Sequence, residues 1–320
     1  MVVVSSSTGP TERALSSSSS EQQPNAQPAA LAVGSVSEER RVRVQGVDVA
    51  VVVGGEPSGP PVVALHGWLD NAGSWAPMAE RLAGWRWHRV EMPGHGRSGH
   101  LAQDLAYHFV DYVDVVLTVL DELGLERVVL AGHSMGASVA MLFAGAFPER
   151  VERLVLVDGL GPLVAPAADG PAVLRRALDS RRAQRSRSHR LYPDRDAMAD
   201  RMMKANPFLT PEATARLLER GAVEEAGGWR FAHDLRLHEG SALRFTWEHV
   251  DAFAAAVRCP TLVIRAHHGA LQDEEQLARR MAQLPDARLV RMEGDHHLHL
   301  TRTADVAPVI EAFVAGAPEP

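Results

Sequence analysis

The segment around Ser134 has the composition of a turn that exposes a nucleophile. The apolar run Arg127–Leu130 leads into Gly132-His133-Ser134-Met135-Gly136, and small and apolar residues at helical spacing continue to Phe147. Serine between two glycines, at the junction of a strand and a helix, favours a strained turn whose hydroxyl projects beyond the strand. Backbone N–H groups at the start of that helix would point at the reacting centre. The pattern predicts nucleophilic chemistry at Ser134.

A serine hydroxyl needs a base, and His296 is the candidate that we favour. The residues Gly294–Leu300, with sequence Gly-Asp-His-His-Leu-His-Leu, directly follow the last predicted strand. In an open α/β sheet, reactive groups lie on loops at the carboxyl ends of strands. His299 is expected to start the next helix or to support the site. The alternatives are a surface histidine cluster and a metal site that also uses His267 and His268, although the spacing of these residues does not match a regular ligand set.

Two aspartates compete for the carboxylate that orients the base. Asp158 ends the strand that follows the elbow helix, whereas Asp273 lies beyond the strand Thr261–Arg265. We predict Asp158 as the acid and keep Asp273 as the alternative, followed by Glu274 and Glu275. An aspartate at the end of a strand can also simply cap a turn.

The oxyanion that forms during acyl transfer requires two fixed N–H donors. We predict that the backbone N–H of Met135 is one donor and that of Trp68 the other, because the loop His66–Asp70 follows a buried strand. A glycine in this loop lets the backbone approach the substrate. The residues that we predict to contact the substrate are Trp68, His133, Trp229 and Phe231.

Short apolar strands alternating with helical patterns must position these residues. A hairpin-like pair comes first, and helices are predicted near 107–123, 274–283 and 304–315. This alternation predicts a mainly parallel sheet covered on both faces. The predicted strands are Arg41–Val44, Val47–Val53, Pro61–Leu65, Trp87–Met92, Arg127–Leu130, Val151–Val157, Pro260–Ala266 and Ala287–Met292.

The alternation breaks between Gly159 and Trp247, where the sequence is helical and rich in arginine. A long excursion from one edge of a sheet predicts a cap over the site. We therefore expect a disordered tail at 1–36, an α/β core at 37–158 and 248–316, and a helical cap at 159–247. The charged stretch Arg175–Arg201 is either a solvated helix pair or a surface for anionic partners. Gly228–Leu237 lines the pocket or packs the cap onto the core.

The composition narrows the possible partners. A formal net charge of −7 and a pI near 6.1 give no reason to expect nucleic acid or a membrane surface. The single cysteine, Cys259, suits a reducing, cytoplasmic location and is interpreted as a packing residue. Apolar runs stay well short of the roughly 18 residues of a membrane span. We expect a small-molecule acyl substrate and neither a cofactor nor a metal ion, and the oligomeric state is left open.

Taken together, these motifs resemble the α/β-hydrolase fold superfamily. Leu65–Trp75 resembles the oxyanion loop of its serine hydrolase-like branch, and Pro93–Ser98 resembles the glycine-rich loop after the fourth strand. Gly132–Gly136 matches the elbow and Gly294–His296 the loop of the catalytic histidine. The resemblance, which runs from about residue 41 to 313, implies an α/β-hydrolase fold with an eight-stranded, mostly parallel sheet flanked by helices. It also implies a helical cap after the sixth strand and the chain order serine, acid, histidine.

Two positions depart from the superfamily pattern. Gly269 stands where many members carry their acid, after the seventh strand. Asp158 instead matches relatives such as the haloalkane dehalogenases, whose acid follows the sixth strand. The acid before Pro93-Gly94 is usually aspartate and is here Glu91.

Serine at the elbow implies an acyl-enzyme and hydrolysis of an ester, thioester, lactone or amide. We predict a carboxylesterase-like serine hydrolase. The alternatives are other acyl-serine chemistry on the same scaffold, namely perhydrolysis or carbon–carbon bond cleavage, and a non-catalytic scaffold that binds a ligand.

Overall fold

Eight strands form one twisted sheet, and two more form a small ribbon. The computed structural model describes residues 37–184 and 186–316, so the predicted tail at 1–36 lies outside the described residues. The strands are β1 (Glu38–Val44), β2 (Val47–Gly55), β3 (Pro61–Leu65), β4 (Arg86–Val90), β5 (Val128–His133), β6 (Val151–Val157), β7 (Ala222–Glu225), β8 (Gly228–Phe231), β9 (Thr261–His268) and β10 (Ala287–Asp295).

The order in the large sheet is β1-β2-β4-β3-β5-β6-β9-β10. Strand β2 is antiparallel to both of its neighbours, and all other pairs are parallel. This arrangement confirms the predicted α/β-hydrolase sheet. Because the parallel strands share one direction, the ends of β3, β5, β6, β9 and β10 meet at one edge, where the loops with the predicted site residues follow.

Helices cover both faces of this sheet. The helices are α1 (Ala76–Arg81), α2 (Asp111–Glu122), α3 (Met135–Ala146), α4 (Gly170–Gln184), α5 (Arg195–Ala205), α6 (Pro211–Gly221), α7 (Trp247–Ala256), α8 (Glu274–Gln283), α9 (Leu298–Thr301) and α10 (Thr303–Val314). Helix α2 begins at Asp111 rather than at 107, because Tyr107 is held in the preceding loop by hydrogen bonds to Leu101 and Asp234.

Two apolar clusters hold the sheet between its helices. One contains Leu130 and Phe143 and lies with α2 and α3, and the other contains Trp87 and Ile264 and lies with α1 and α10. These four side chains are at most 1% exposed, and burial of each contributes on the order of 1.5–3 kcal/mol. Helix α3 is apolar on nearly all sides because it packs under β5 while its first turn faces the site.

The segment between β6 and β9 carries α4 to α7 and the antiparallel ribbon of β7 and β8. The sequence predicted helices alone here, and the ribbon corrects that expectation. Helix α7 begins at Trp247 and packs against α3. The division into core and cap stays a proposal.

Two further predictions concern composition. Cys259 is 3% exposed, which confirms it as a packing residue, and burial raises the pKa of its thiol to about 11. Among the described residues, none of the helices is both long and apolar enough to cross a bilayer.

Candidate active site

Ser134 occupies the sharp turn between β5 and α3. Its backbone has φ 52° and ψ −111°, in the left-handed half of the map, where a non-glycine residue costs on the order of 1–3 kcal/mol. The flanking glycines make this turn possible. A Cβ on Gly132 would lie 2.4 Å from the carbonyl oxygen of Gly136, and one on Gly136 would lie 2.3 Å from that of Leu65.

The structure brings Ser134, His296 and Asp158 together in one hydrogen-bonded chain. The Oγ atom of Ser134 is 2.9 Å from Nε2 of His296, and Nδ1 of His296 is 2.5 Å from Oδ2 of Asp158. Because the carboxylate only accepts, Nδ1 carries the proton and Nε2 presents its lone pair to the serine hydroxyl. Asp158 is wholly buried and Ser134 is partly exposed, so the chain runs from the interior to the surface of the site.

Asp158 is held in place by two further hydrogen bonds. Its Oδ1 accepts the N–H of Ala266 at 3.2 Å, and its Oδ2 accepts the N–H of Ala270 at 2.6 Å. A Cβ on Gly269 would lie 2.2 Å from Oδ2. Glycine at the position where many relatives carry their acid therefore makes room for the carboxylate of Asp158.

The alternative acids lie elsewhere. Asp273 is exposed and caps α8, where its side chain accepts the N–H of Gln276 at 3.0 Å. Glu274 forms ion pairs with two arginines, Arg265 and Arg291. The structure does not bring Asp273 or Glu274 to His296.

The predicted oxyanion donors lie on two adjoining loops. Met135 is the first residue of α3, so its N–H has no partner within the helix. Trp68 follows β3, and close contact between Gly136 and the backbone of Leu65 and His66 brings this loop against the start of α3. The indole of Trp68 is half exposed and donates to the carbonyl oxygen of Leu237 at 3.1 Å.

A cavity of about 380 Å³ lies between the loop after β3 and the segment that follows β6. Phe231 lines it, and Trp68 packs edge-on against His238, which also lines it. Trp229 is not among the lining residues and packs under the guanidinium of Arg195. The lining residues are Leu69, Asp70, Asn71, Gly96, Tyr192, Arg201, Met202, Ala205, Leu209, Leu217, Leu218, Gly221, Phe231, His233 and His238.

His133, which the sequence predicts to contact the substrate, is only 1% exposed. Its Nε2 is 2.7 Å from the carbonyl oxygen of His296 and donates to it. Burial lowers the pKa of His133 to about 4, so the ring is neutral near pH 7. The expectation that His133 contacts the substrate is therefore corrected. His133 is the last residue of a strand that is buried on both faces, and its side chain supports the backbone of His296.

Three more side chains, those of Asp70, His297 and His299, surround His133. The sequence analysis gave Asp70 and His297 no role in the site and mentioned His299 only as a supporting residue. Burial opposes ionisation of Asp70, but the charge of His297 and the hydrogen bond from that ring hold its pKa well below its usual range. Burial likewise opposes the charge on His297, and Asp70 outweighs it and raises the pKa of that ring. His299, expected to start the next helix or to support the site, is the second residue of α9 and is buried there, and this burial holds its pKa well below the usual value.

Glu91, the second departure from the superfamily pattern, is wholly buried. Its carboxylate accepts two bonds from the guanidinium of Arg220, at 2.5 and 2.9 Å, and one from the N–H of Arg97 at 2.6 Å. Arg220 lies on α6, so this pair ties the segment after β6 to the loop after β4. The position of Glu91 before a Pro-Gly pair was visible in the sequence, but its partner was not.

Gly228–Leu237 does what both interpretations of it predicted. Phe231 and His233 line the cavity. The N–H of Asp234 donates to the carbonyl oxygen of Gly94 at 2.8 Å, and Arg236 donates to backbone carbonyl groups at 101–105. The segment thus lines the cavity and is also hydrogen-bonded to the core.

Comparison with known proteins agrees with this fold. Residues 60–303 match the model of the alpha/beta hydrolase fold family. A serine hydrolase-like protein of Danio rerio is 31% identical over 287 residues, which cover 86% of this chain and 88% of the relative. A probable serine hydrolase of Drosophila melanogaster is 32% identical over 269 residues, 80% of this chain and 81% of the relative. The chain therefore belongs to the α/β-hydrolase fold family and to its serine hydrolase-like branch.

Solved structures show the same likeness. A hypothetical protein of Pseudomonas aeruginosa PAO1 is 39% identical with a TM-score of 0.82, and the match covers 87% of this chain and 99% of that one. A thioesterase domain from the curacin biosynthetic pathway is 26% identical with a TM-score of 0.79, over 87% of this chain and 99% of that domain.

Proposed function

We propose that this chain is a serine hydrolase that cleaves an ester or thioester, with Ser134, His296 and Asp158 as its catalytic triad. The observation that carries the proposal is the continuous hydrogen-bonded chain from Asp158 through His296 to a serine held at positive φ. Backbone strain of this kind is concentrated at active sites, which favours a reactive role for Ser134.

The geometry supports a two-step acyl transfer. His296 Nε2 takes the proton of Ser134 Oγ as Oγ bonds to the acyl carbon, and Asp158 stabilises the imidazolium that forms. The N–H groups of Met135 and Trp68 bind the oxyanion. Collapse breaks the bond to the leaving group, which receives the proton from His296. Water then attacks the acyl-enzyme, again with His296 as base, and releases the carboxylic acid and free Ser134.

Neither Ser134 nor His296 is among the residues that line the cavity, but the cavity adjoins the proposed oxyanion loop where Trp68 packs against His238, and we take it as the binding region for a small or medium acyl or alcohol group. Its walls are largely apolar, with Met202, Leu217 and Phe231 among them, and its volume of about 380 Å³ is at the lower end of the range for small-molecule sites. The structural likeness to a thioesterase domain, at 26% identity, supports including thioesters. The partner that we propose is thus a small acyl compound, and a cytoplasmic location remains a prediction.

Hydrolysis of nitrophenyl esters of graded acyl length tests the proposal, with acyl thioesters assayed in parallel. We expect turnover with an optimum at short or medium length, and a loss of about 10³-fold or more in Ser134→Ala. Ser186→Ala, which removes an exposed hydroxyl, is the matched control and should keep wild-type turnover. Turnover by Ser134→Ala within a few-fold of wild type would refute the proposed nucleophile.

A further inference from the structure

Three side chains that the proposed reaction does not use converge behind His296. Oδ2 of Asp70 is 3.5 Å from Nδ1 of His133 and 3.3 Å from Nε2 of His297. One potential ligand atom from each of the three lies within 4.8 Å of the other two. The cluster is buried: the side chains of Asp70, His133 and His297 are 10%, 1% and 14% exposed.

Two of these atoms, Nδ1 of His133 and Oδ2 of Asp70, face each other with no hydrogen atom between them. His133 donates its Nε2–H to the carbonyl oxygen of His296, so Nδ1 of the neutral ring carries a lone pair. That lone pair points at Oδ2 of Asp70, also a lone-pair donor. Within the described part of the chain, neither atom has a hydrogen-bond partner. A buried carboxylate oxygen facing an imidazole nitrogen is the arrangement that a bound cation would stabilise.

We propose that Asp70, His133 and His297 form a site for a divalent transition-metal ion, with zinc as the best match. Two imidazole nitrogens and one carboxylate oxygen form a ligand set that zinc accepts. With metal–ligand bonds of about 2.0–2.1 Å, neighbouring ligands of a tetrahedral zinc ion are about 3.3–3.4 Å apart. The separations of 3.3 and 3.5 Å around Asp70 Oδ2 are close to that value, and water would complete the tetrahedron.

The site has an entry path and a partner on the segment after β6. Asp70 lines the cavity, so an ion reaches the cluster through it. Nδ1 of His297 is 3.1 Å from the amide nitrogen of Asn206, whose oxygen accepts the N–H of Phe208 at 3.1 Å. Metal binding at Nε2 moves the His297 proton to Nδ1 and requires the amide of Asn206 to turn its oxygen towards it. Phe208 is half exposed, so water can replace its lost partner.

An ion here lies next to the proposed general base. The rings of His133 and His297 are centred 4.7 and 5.4 Å from that of His296. A divalent charge at that range opposes the positive charge that develops on the His296 ring during acyl transfer. We therefore expect zinc to inhibit hydrolysis by about tenfold or more, reversibly on chelation. The inhibition rests on the proposed function, whereas binding does not.

Calorimetric titration of the metal-free protein with zinc chloride tests the site without an activity assay. We expect one ion per chain, and four-coordinate absorption bands when cobalt replaces zinc. Asp70→Asn and His297→Gln should each weaken binding by at least about tenfold. His267→Gln is the matched control, because His267 is exposed and pairs with Glu293 between β9 and β10, not with the three ligands. Ser134→Ala should also keep wild-type affinity.

Several results would overturn the site. Equal zinc affinity in wild type and in both ligand variants would do so, as would binding that is lost in Ser134→Ala. Loss of binding in His233→Gln, whose ring contacts His238 at 3.3 Å in the cavity wall, would place the ion there instead. Circular dichroism and thermal melting in chelator show whether Asp70→Asn folds. If it does not, His297→Gln, which changes the most exposed of the three side chains, decides the question.

Discussion

Replacing Gly269 by alanine is expected to disable the site without changing any of its reacting groups. The added Cβ would lie 2.2 Å from Oδ2 and 2.3 Å from Oδ1 of Asp158. Ordinary contact begins at 3.4 Å, so the carboxylate or the loop must shift by about 1.2 Å, the difference between 3.4 and 2.2 Å. The bond of 2.5 Å between Asp158 and His296 cannot survive that shift unchanged.

The expected loss in kcat has a lower and an upper bound. A misplacement of about 1 Å in a catalytic group can cost about 10²-fold in rate. Complete loss of the carboxylate in a serine protease triad costs about 10⁴-fold in kcat. Gly269→Ala should therefore lower kcat by about 10² to 10⁴, or about 2.7–5.4 kcal/mol, with a smaller change in KM.

Steady-state hydrolysis of the best nitrophenyl ester measures this effect. Gly170→Ala is the matched control, since a Cβ on Gly170 at the start of α4 meets nothing within 4 Å. The double variant Asp158→Asn with Gly269→Ala tests the cause. If the alanine acts through the carboxylate, the double variant is no slower than Asp158→Asn alone, within about threefold. Near wild-type turnover in Gly269→Ala, or losses that multiply in the double variant, would refute the reasoning.

Three further predictions concern the acid, the buried ion pair and the response to pH. Asp158→Asn should lower kcat by about 10⁴-fold, whereas Asp273→Asn should change it by less than about twofold, because asparagine caps a helix equally well; similar kinetics for the two variants would contradict the assignment. Arg220→Met leaves the buried carboxylate of Glu91 without its cation and should lower the free energy of unfolding by about 3–5 kcal/mol. The control Arg216→Met should lower it by about 1 kcal/mol or less, because its partner Glu80 is exposed. Equal losses for the two variants in urea denaturation would contradict this expectation. Burial lowers the pKa of His88 from 6.5 to about 4, so the unfolded chain binds the extra proton and stability falls as pH drops from 6.5 to 4. His88→Leu should remove about 3 kcal/mol of that fall, and an unchanged slope of stability against pH would contradict it.

Much of the core could be predicted because local rules and the fold agree there. Gly132 and Gly136 flank Ser134 for a steric reason that is visible in the sequence, and buried parallel strands appear as uninterrupted apolar runs. The position of His296 follows from the last strand. These features depend on near neighbours along the chain, and the resemblance to a known family supplied their order in the sheet.

The acid could not be decided from the sequence, because it depends on strand register. Asp158 and Asp273 both follow strands with correct direction. Only the pairing of β6 with β9, in which the N–H of Asp158 donates to the carbonyl oxygen of Ile264 at 2.8 Å, sets Asp158 beside Gly269. The space that Gly269 leaves for the carboxylate of Asp158 depends on the tertiary structure, so the sequence alone does not show it.

The segment after β6 was predicted least well. The ribbon of β7 and β8 has a local signal, since the two-residue loop Ala226-Gly227 is followed by a second glycine, Gly228, and short glycine-rich loops are typical of hairpins. The long arginine-rich helices around it outweighed that signal. The ion pair between Glu91 and Arg220 joins residues far apart in the chain, and composition alone does not pair them.

The most direct measurement of the central claim is covalent labelling with an alkyl phosphonate ester, followed by intact-mass and peptide analysis. A phosphonate traps an activated serine whatever the natural substrate is, so the result does not depend on the choice of ester. The account predicts one adduct per chain, located on Ser134, which is absent in Ser134→Ala and forms much more slowly in His296→Gln and Asp158→Asn. An unlabelled Ser134 in the folded wild-type protein, or equal labelling when His296 is replaced, would contradict it.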